Sequence, residues 1–286
     1  MPRIFGHIDK VKIGATFDSR RELHESGVHR PLQAGISGSQ NEGADSIVLS
    51  GGYIDDEDHG DVIIYTGQGG RDEQTERQVA DQELTRGNKA LAISFEQDLP
   101  IRVVRGAQHQ SRFSPTSGYR YDGLYKITNY WKDIGEDGYR IWRYKLEKID
   151  SAPIKQRDLE QSTVPDRTEV TVSRIDRNPA VSKKVKEIYD NHCQVCGLTI
   201  KTPLGFYSEA AHIKPLGRPH NGKDDLSNIL CLCPNHHKML DYHAFSIADD
   251  LSLLGIEGDL NVDKDHLIDK EYLNYHREHF FENSED

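Results

Sequence analysis

The chain has 286 residues and a formal charge of −11, from 36 Lys and Arg against 47 Asp and Glu. At about 100–200 residues per domain that length carries roughly two domains, and 13 Tyr, 8 Phe and 2 Trp exclude wholesale disorder. No run reaches the roughly 18–20 apolar residues of a membrane helix, and the acidic balance at first argues against a nucleic-acid partner.

The opening residues MPRIFGHIDK contain no apolar stretch of the kind a secretory signal needs. A short helix is expected at Ser19–Ser26 and another near Thr75–Thr85. Between and after them come short β-type runs: Ser46–Ser50, Asp61–Thr66, Ile101–Arg105, Tyr119–Asn129 and Tyr139–Lys148. Turn signals such as Gly51-Gly52, Gly69-Gly70 and Asp137-Gly138 separate them, which suggests a barrel or strongly bent sheet over residues 1–150. Residues 151–179 read as a linker, with Pro153, Pro165 and Pro179 and one candidate strand at Glu169–Ile175. Asn178-Pro179 then reads as an N-cap with Pro at the first helical position, opening a helix with Val181, Val185 and Ile188 on one face. The second domain is expected over 180–286, ending in an acidic helix with a stripe of Ile268, Tyr272, Tyr275 and His279 that docks on it. That tail holds most of the negative charge: residues 249–286 carry 3 cations and 12 anions, leaving the other 248 residues at −2.

All four cysteines, Cys193, Cys196, Cys231 and Cys233, lie within 41 positions of one another. A disulfide scaffold would spread them, so the cluster reads as a metal site in a reducing cytoplasm. Cys193 and Cys196 form one two-residue-spaced pair, and Cys233 and His236 form the other. Together they offer the four ligands of a structural zinc. Cys231, among Ile229, Leu230 and Leu232, reads as a buried thiol.

The first 150 residues carry a dense set of motifs: GVHRP at 27–31, QAGISG at 33–38, ADSIVLSGGY at 44–53, DDEDHG at 55–60, YTGQGGRD at 65–72 and YDG at 121–123. With these the chain resembles the SRA (YDG) domain family over about residues 4–148. The resemblance implies a reader that flips 5-methylcytosine or 5-hydroxymethylcytosine out of DNA into a pocket. Flipping costs a few kcal/mol of pairing and stacking, which aromatic stacking on the extruded base offsets at roughly 1–3 kcal/mol each. By the same match Tyr53 and Tyr65 would sandwich the base, and Asp56 would accept from the cytosine N4 amine. Thr66 would read other Watson–Crick atoms, and Gln33 would fill the gap left in the duplex. Asp55, Glu57 and Asp58 are left to loop structure. Phosphate contacts are expected from cations such as Arg71, Arg77, Arg86 and Lys89.

Taken singly, His212 is an ordinary structural histidine and Asn228 an ordinary cap. In the order C193-x2-C196, A-A-H212-I, L-S-N228-I and C233-x2-H236-H237 they are more specific. Residues ~189–247 resemble the HNH endonuclease family of the zinc-braced ββα-metal type. The resemblance implies that His212 is the general base for water attacking phosphorus, that Asn228 orients it across the loop, and that His237 binds a catalytic divalent ion. Asp241, one helical turn beyond His237, is either a second ligand to that ion or a surface carboxylate. Many HNH sites place a metal ligand just before the base, where this chain has Ala211; His243 and Glu209 are weaker spare candidates.

The fold expected is α+β: an SRA-like twisted β-barrel with flanking helices, then a zinc-braced ββα-metal domain. The function expected is that of the SRA–HNH modification-dependent restriction endonucleases, a metal-dependent DNA endonuclease. Its partner would be double-stranded DNA with modified cytosine, with no membrane. Its cofactors would be structural zinc and a catalytic Mg, Mn or other divalent cation. One such site cuts one strand at a time, so a double-strand break invites a homodimer. The competing reading is a non-catalytic reader whose HNH fold is only a zinc module.

Overall fold

The chain forms two units, Met1–Val170 and Thr171–Asp286. The structure is a computed structural model, and it describes residues 3–72, 75, 77–109, 111–149 and 178–281. The expected linker at 151–179 and its candidate strand fall outside the described residues, except for Asn178 and Pro179. Among the described residues no helix is long and apolar enough to cross a membrane.

The first unit runs β1 (Thr16–Phe17), α1 (Arg20–Glu25), β2 (Ile36–Ser39), β3 (Gly43–Leu49), β4 (Glu57–Asp58), β5 (Val62–Thr66), α2 (Arg86–Glu96), β6 (Ile101–Gly106), β7 (Tyr119–Ile134) and β8 (Arg140–Lys148). The strands form one eight-stranded sheet in the order β2-β3-β6-β7-β8-β5-β4, with β1 also pairing β7. Only β3 and β6 run parallel among these pairs; bulges at Val103/Val104 and Ile127/Asn129 break the register. Helix α1 falls where the sequence places it, because Ser19 accepts from Glu22 N as an N-cap.

Among the described residues of the expected helix near Thr75–Thr85 none is helical; α2 starts at Arg86 instead. The preceding segment is committed to a loop. Gln78 Nε2 donates to the Gly69 and Ala80 carbonyls, Gln82 Nε2 to the Gly67 carbonyl, and both glutamines are buried. The apolar face a helix needs arrives only with Ala90, Leu91 and Ala92, which pack into the core beside Ile47, Ile101 and Tyr144.

The second unit runs α3 (Pro179–Ile188), β9 (Ile200–Thr202), β10 (Gly205–Tyr207), β11 (Glu209–His212), a 3-10 turn (Leu226–Asn228), β12 (Ile229–Leu232), α4 (Pro234–Asp241), β13 (Ser246–Ile247), β14 (Leu253–Leu254) and α5 (Lys270–Phe280). Strands β11 and β12 pair antiparallel, with His212 opposite Ile229. Strand alternation splits their side chains between two cores. Ala211, Leu230 and Leu232 join Leu240 of α4, whereas Ala210, Ile229 and Cys231 join Val185 of α3. The tail helix docks as expected, but on a stripe of Tyr272, Leu273, His276 and Phe280. Tyr275 and His279 lie off that stripe, only half-buried and stacked on each other at 3.8 Å.

Candidate functional site

In the first unit, the four residues expected to read a base lie on β5 and on the loop before β4. Tyr65 and Thr66 end β5, and Asp56 is tied to them because Thr66 N donates to its Oδ1 at 2.7 Å. Burial pushes the Asp56 carboxyl up to about 7, although hydrogen bonds from Thr66 and the charge of Arg143 pull the other way. Thr66 Oγ1 is buried and has no well-formed hydrogen-bond partner among the described residues. A buried hydroxyl without a partner is costly, and here it sits on the wall where a polar ligand edge would satisfy it.

Tyr65 is 3% exposed and belongs to the core cluster. Burial first, then the neighbouring Asp56 and Tyr53, raise its phenol well above the ordinary value. Tyr53 is half-buried, and its hydroxyl accepts from Gly69 N at 3.0 Å. The Arg71 guanidinium lies 5.7 Å from the Tyr53 ring centroid, while Arg77 is exposed.

Gln33 is exposed beside Leu32, which is 52% exposed. Its loop passes close to Tyr65: a Cβ at Gly35 would stand 2.7 Å from the Tyr65 hydroxyl, so only glycine fits. The loop is anchored by His29, whose Nε2 bonds the Ala34 carbonyl and whose Nδ1 bonds Ser46 Oγ, both at 2.9 Å. Asp55 serves loop structure, accepting from Glu136 N, but Glu57 and Asp58, expected in the loop, form β4 because they pair with β5, and their side chains pair with Arg143 and Arg105. Arg105 also bonds Asp122 of the YDG motif at 2.8 Å.

In the second unit, the ligand atoms of Cys193, Cys196, Cys233 and His236 all lie within 4.8 Å of one another. The shorter separations are 3.3 Å (Cys233 Sγ to His236 Nδ1), 3.6 Å (Cys193 Sγ to His236 Nδ1) and 3.9 Å (Cys196 Sγ to Cys233 Sγ). A zinc tetrahedron with arms of about 2.3 Å has edges of roughly 3.8 Å, so the donor set fits that ion. Cys231 lies outside the group. It is fully buried and its Sγ bonds Ser208 Oγ at 3.2 Å.

Cys233 is the N-cap of α4, so the metal group starts the helix that carries His237 and Asp241. His237 Nδ1 lies 2.6 Å from Glu209 Oε2, and Tyr207 Oη donates to Glu209 Oε1 at 2.7 Å. Burial works against the Glu209 charge, but the hydrogen bonds from Tyr207 and His237 draw the carboxyl below its usual range. His237 meets Glu209 through Nδ1, and its Nε2 on the other edge of the ring lies 3.6 Å from Asp241 Oδ1. An imidazole oriented by a carboxylate, beside a second carboxylate, is a donor set a divalent cation accepts. His243 is elsewhere: it is stacked on Phe280 at 4.9 Å.

His212 ends β11 with its Nε2 2.9 Å from Asp224 Oδ1. Asn228, fully buried, accepts from Lys214 N at 2.8 Å and donates to the carbonyls of Lys214 and Lys223 at 2.9 and 2.8 Å. Gly222 permits that closure, because a Cβ there would meet Lys214 O at 2.2 Å. Asp224, Tyr207 and the Glu209–His237 pairing were missed in sequence. Asp224-Asp225 before L-S-N228 was the available signal, but an acidic pair before a turn reads first as capping, which Asp225 does perform for Ser227 N.

The chain matches the SAD/SRA domain family over residues 4–152 and the HNH endonuclease family over residues 193–248. The E3 ubiquitin-protein ligase UHRF1 of Rattus norvegicus is 44% identical over 170 residues, covering 52% of this chain and 22% of that protein. The Danio rerio protein of the same name is 43% identical over 173 residues, covering 52% of this chain and 22% of that protein. The chain thus spans about a fifth of the length of these curated relatives. A solved structure of the modification-dependent TagI restriction endonuclease is 44% identical, with a TM-score of 0.51, covering 96% of this chain and 94% of that one.

Proposed function

Because the chain belongs to the SAD/SRA domain family and joins that domain to an HNH endonuclease domain, we propose that it is a modification-dependent restriction endonuclease. Residues 1–150 act as the reader, 151–179 as the connector and 180–286 as the nuclease. The reader flips 5-methylcytosine or 5-hydroxymethylcytosine out of double-stranded DNA. Tyr53 and Tyr65 stack on the base, and Asp56 accepts from its N4 amine. Thr66 reads other Watson–Crick atoms of the base, and Gln33 enters the vacated stack. Arg71 and Arg77 approach the backbone from the loop after β5.

The nuclease hydrolyses a nearby phosphodiester. His212 accepts a proton from the attacking water, the new P–O bond forms in line, and the 3′ oxygen leaves. Asn228 holds the backbone on both sides of the loop that bears the base. His237 and Asp241 would hold a divalent cation such as Mg or Mn, with Glu209 orienting the imidazole from Nδ1. When bound, that cation supplies charge stabilisation for the developing oxyanions. Cys193, Cys196, Cys233 and His236 hold structural zinc. Two copies acting together produce a double-strand break.

The observation that carries this reading is the conjunction, in one chain, of the Tyr53–Asp56–Tyr65–Thr66 wall with the His212 and His237 sites. The test is cleavage of matched unmodified, methylated and hydroxymethylated duplexes with Mg or Mn, beside His212→Ala and Tyr65→Ala. Cutting confined to modified duplexes, abolished by His212→Ala with binding intact, supports it. Equal cutting of all duplexes refutes modification dependence, and no cutting of any refutes the nuclease.

A further inference from the structure

We infer that Asp224 is a positioning residue for the His212 base, a step that rests on the nuclease reading above. The two side chains are 8% and 19% exposed, and His212 Nε2 stands 2.9 Å from Asp224 Oδ1. An ionised carboxylate only accepts hydrogen bonds. The proton of the neutral imidazole therefore resides on Nε2, and Nδ1 carries the lone pair that takes the proton from water. Asp224 sets both the tautomer and the tilt of the ring.

Both backbones beneath this pair are clamped by Asn228. Its side chain bonds Lys214, two residues after His212, and Lys223, immediately before Asp224. Its carbonyl accepts from Ile213 N at 3.0 Å. Asn228 thus fixes the distance that Asp224 and His212 span, and its influence on the base runs through that pair. The other carboxylate oxygen, Asp224 Oδ2, accepts from Asn178 N, the capping residue of α3 at the start of the nuclease unit's described residues. A carboxylate bonded through both oxygens has little freedom left, which is what a positioning group requires.

The experiment uses the full-length, zinc-loaded protein labelled with nitrogen-15 histidine. Imidazole nitrogen shifts give the tautomer of His212, assigned by its loss in His212→Gln. Single-turnover cleavage of a modified duplex, duplex binding and zinc content are followed in Asp224→Asn and Asp224→Ala. The expected result is an Nε2–H tautomer in the parent and a mixture of tautomers in Asp224→Ala. Cleavage in both variants should fall at least tenfold at unchanged binding and zinc content. Asp224→Asn keeps the shape but can accept through only one of the two positions, and it keeps the test open if the alanine variant unfolds. An Nδ1–H tautomer in the parent, or parental tautomer and rate in both variants, overturns the inference. If the parent fails to cut modified DNA while the tautomer still depends on Asp224, the nuclease reading falls and the pairing stands.

Discussion

Asp56 is built at a thermodynamic cost. Burial lifts its carboxyl to about 7, against about 3.9 in an unfolded chain. Its contribution to stability is therefore fully present below about pH 4 and lost as the pH rises through about 7. We expect Asp56→Asn to raise the melting temperature of the first unit at pH 8, by the equivalent of about 1–2 kcal/mol, and to leave it nearly unchanged at pH 4. The same substitution should weaken discrimination for modified cytosine. Calorimetry at the two pH values checks the first statement; equal shifts at both would show that the charge is not the cause. How legible such residues are in sequence depends on how local their partners are. Asp56 stands inside a dense local motif, which marks it as a candidate before folding. Asp224 is not so marked, because the imidazole it bonds lies twelve positions away across a loop whose closure involves Gly222 and Asn228.

At the scale of elements, α4 shows how one helix serves two chemistries. Its N-cap, Cys233, belongs to the Cys3His group, and His237 sits one turn in. Removing zinc with a strong chelator should therefore release the start of α4 and abolish cleavage, while binding to modified DNA through the first unit persists. Metal analysis with parallel binding and cleavage assays checks this. Retained cleavage by zinc-free protein would show that the cluster does not support the helix. The tail helix α5 is equally integral. Leu273 is 1% exposed within the nuclease core, so Leu273→Ala should cost about 2–4 kcal/mol, read as a fall in the unfolding midpoint of the second unit. The CxxC and CxxH spacings made the zinc group readable, since ligand geometry is imposed locally. The facing of α5 was not readable to the same degree. Its aromatic residues lie on several sides, and packing against β13 selected Leu273 and His276 where periodicity had favoured Tyr275 and His279. Likewise the helix expected at Thr75–Thr85 failed because buried Gln78 and Gln82 fasten that segment as a loop, a long-range effect without a local signature.

Across the whole molecule, the two units answer acid differently. Burial lowers His276 to about 4 and also lowers His266 in the second unit. An unfolded imidazole protonates near 6.5. Between about pH 6.5 and pH 4 the unfolded chain thus takes up protons that the native unit refuses, and stability falls as the pH drops. In the first unit His29, lowered by burial to about 3, acts in the same direction, but Asp56 acts in the opposite one. Between pH 7 and pH 5 the second unit should lose more protection in hydrogen exchange than the first. Equal losses would mean the histidines do not set the acid limit.

The order of strands in the sheet also bears on how the protein is made. Strand β5 is paired by β8, with Ile64 opposite Lys145, and β3 waits for β6. Such distant partners make for slow closure, since the loop between them must be ordered before any contact rewards it. Yet every strand of that sheet has been synthesised by residue 148, ahead of the whole second unit. A growing chain therefore acquires its means of choosing DNA before it acquires any means of cutting it.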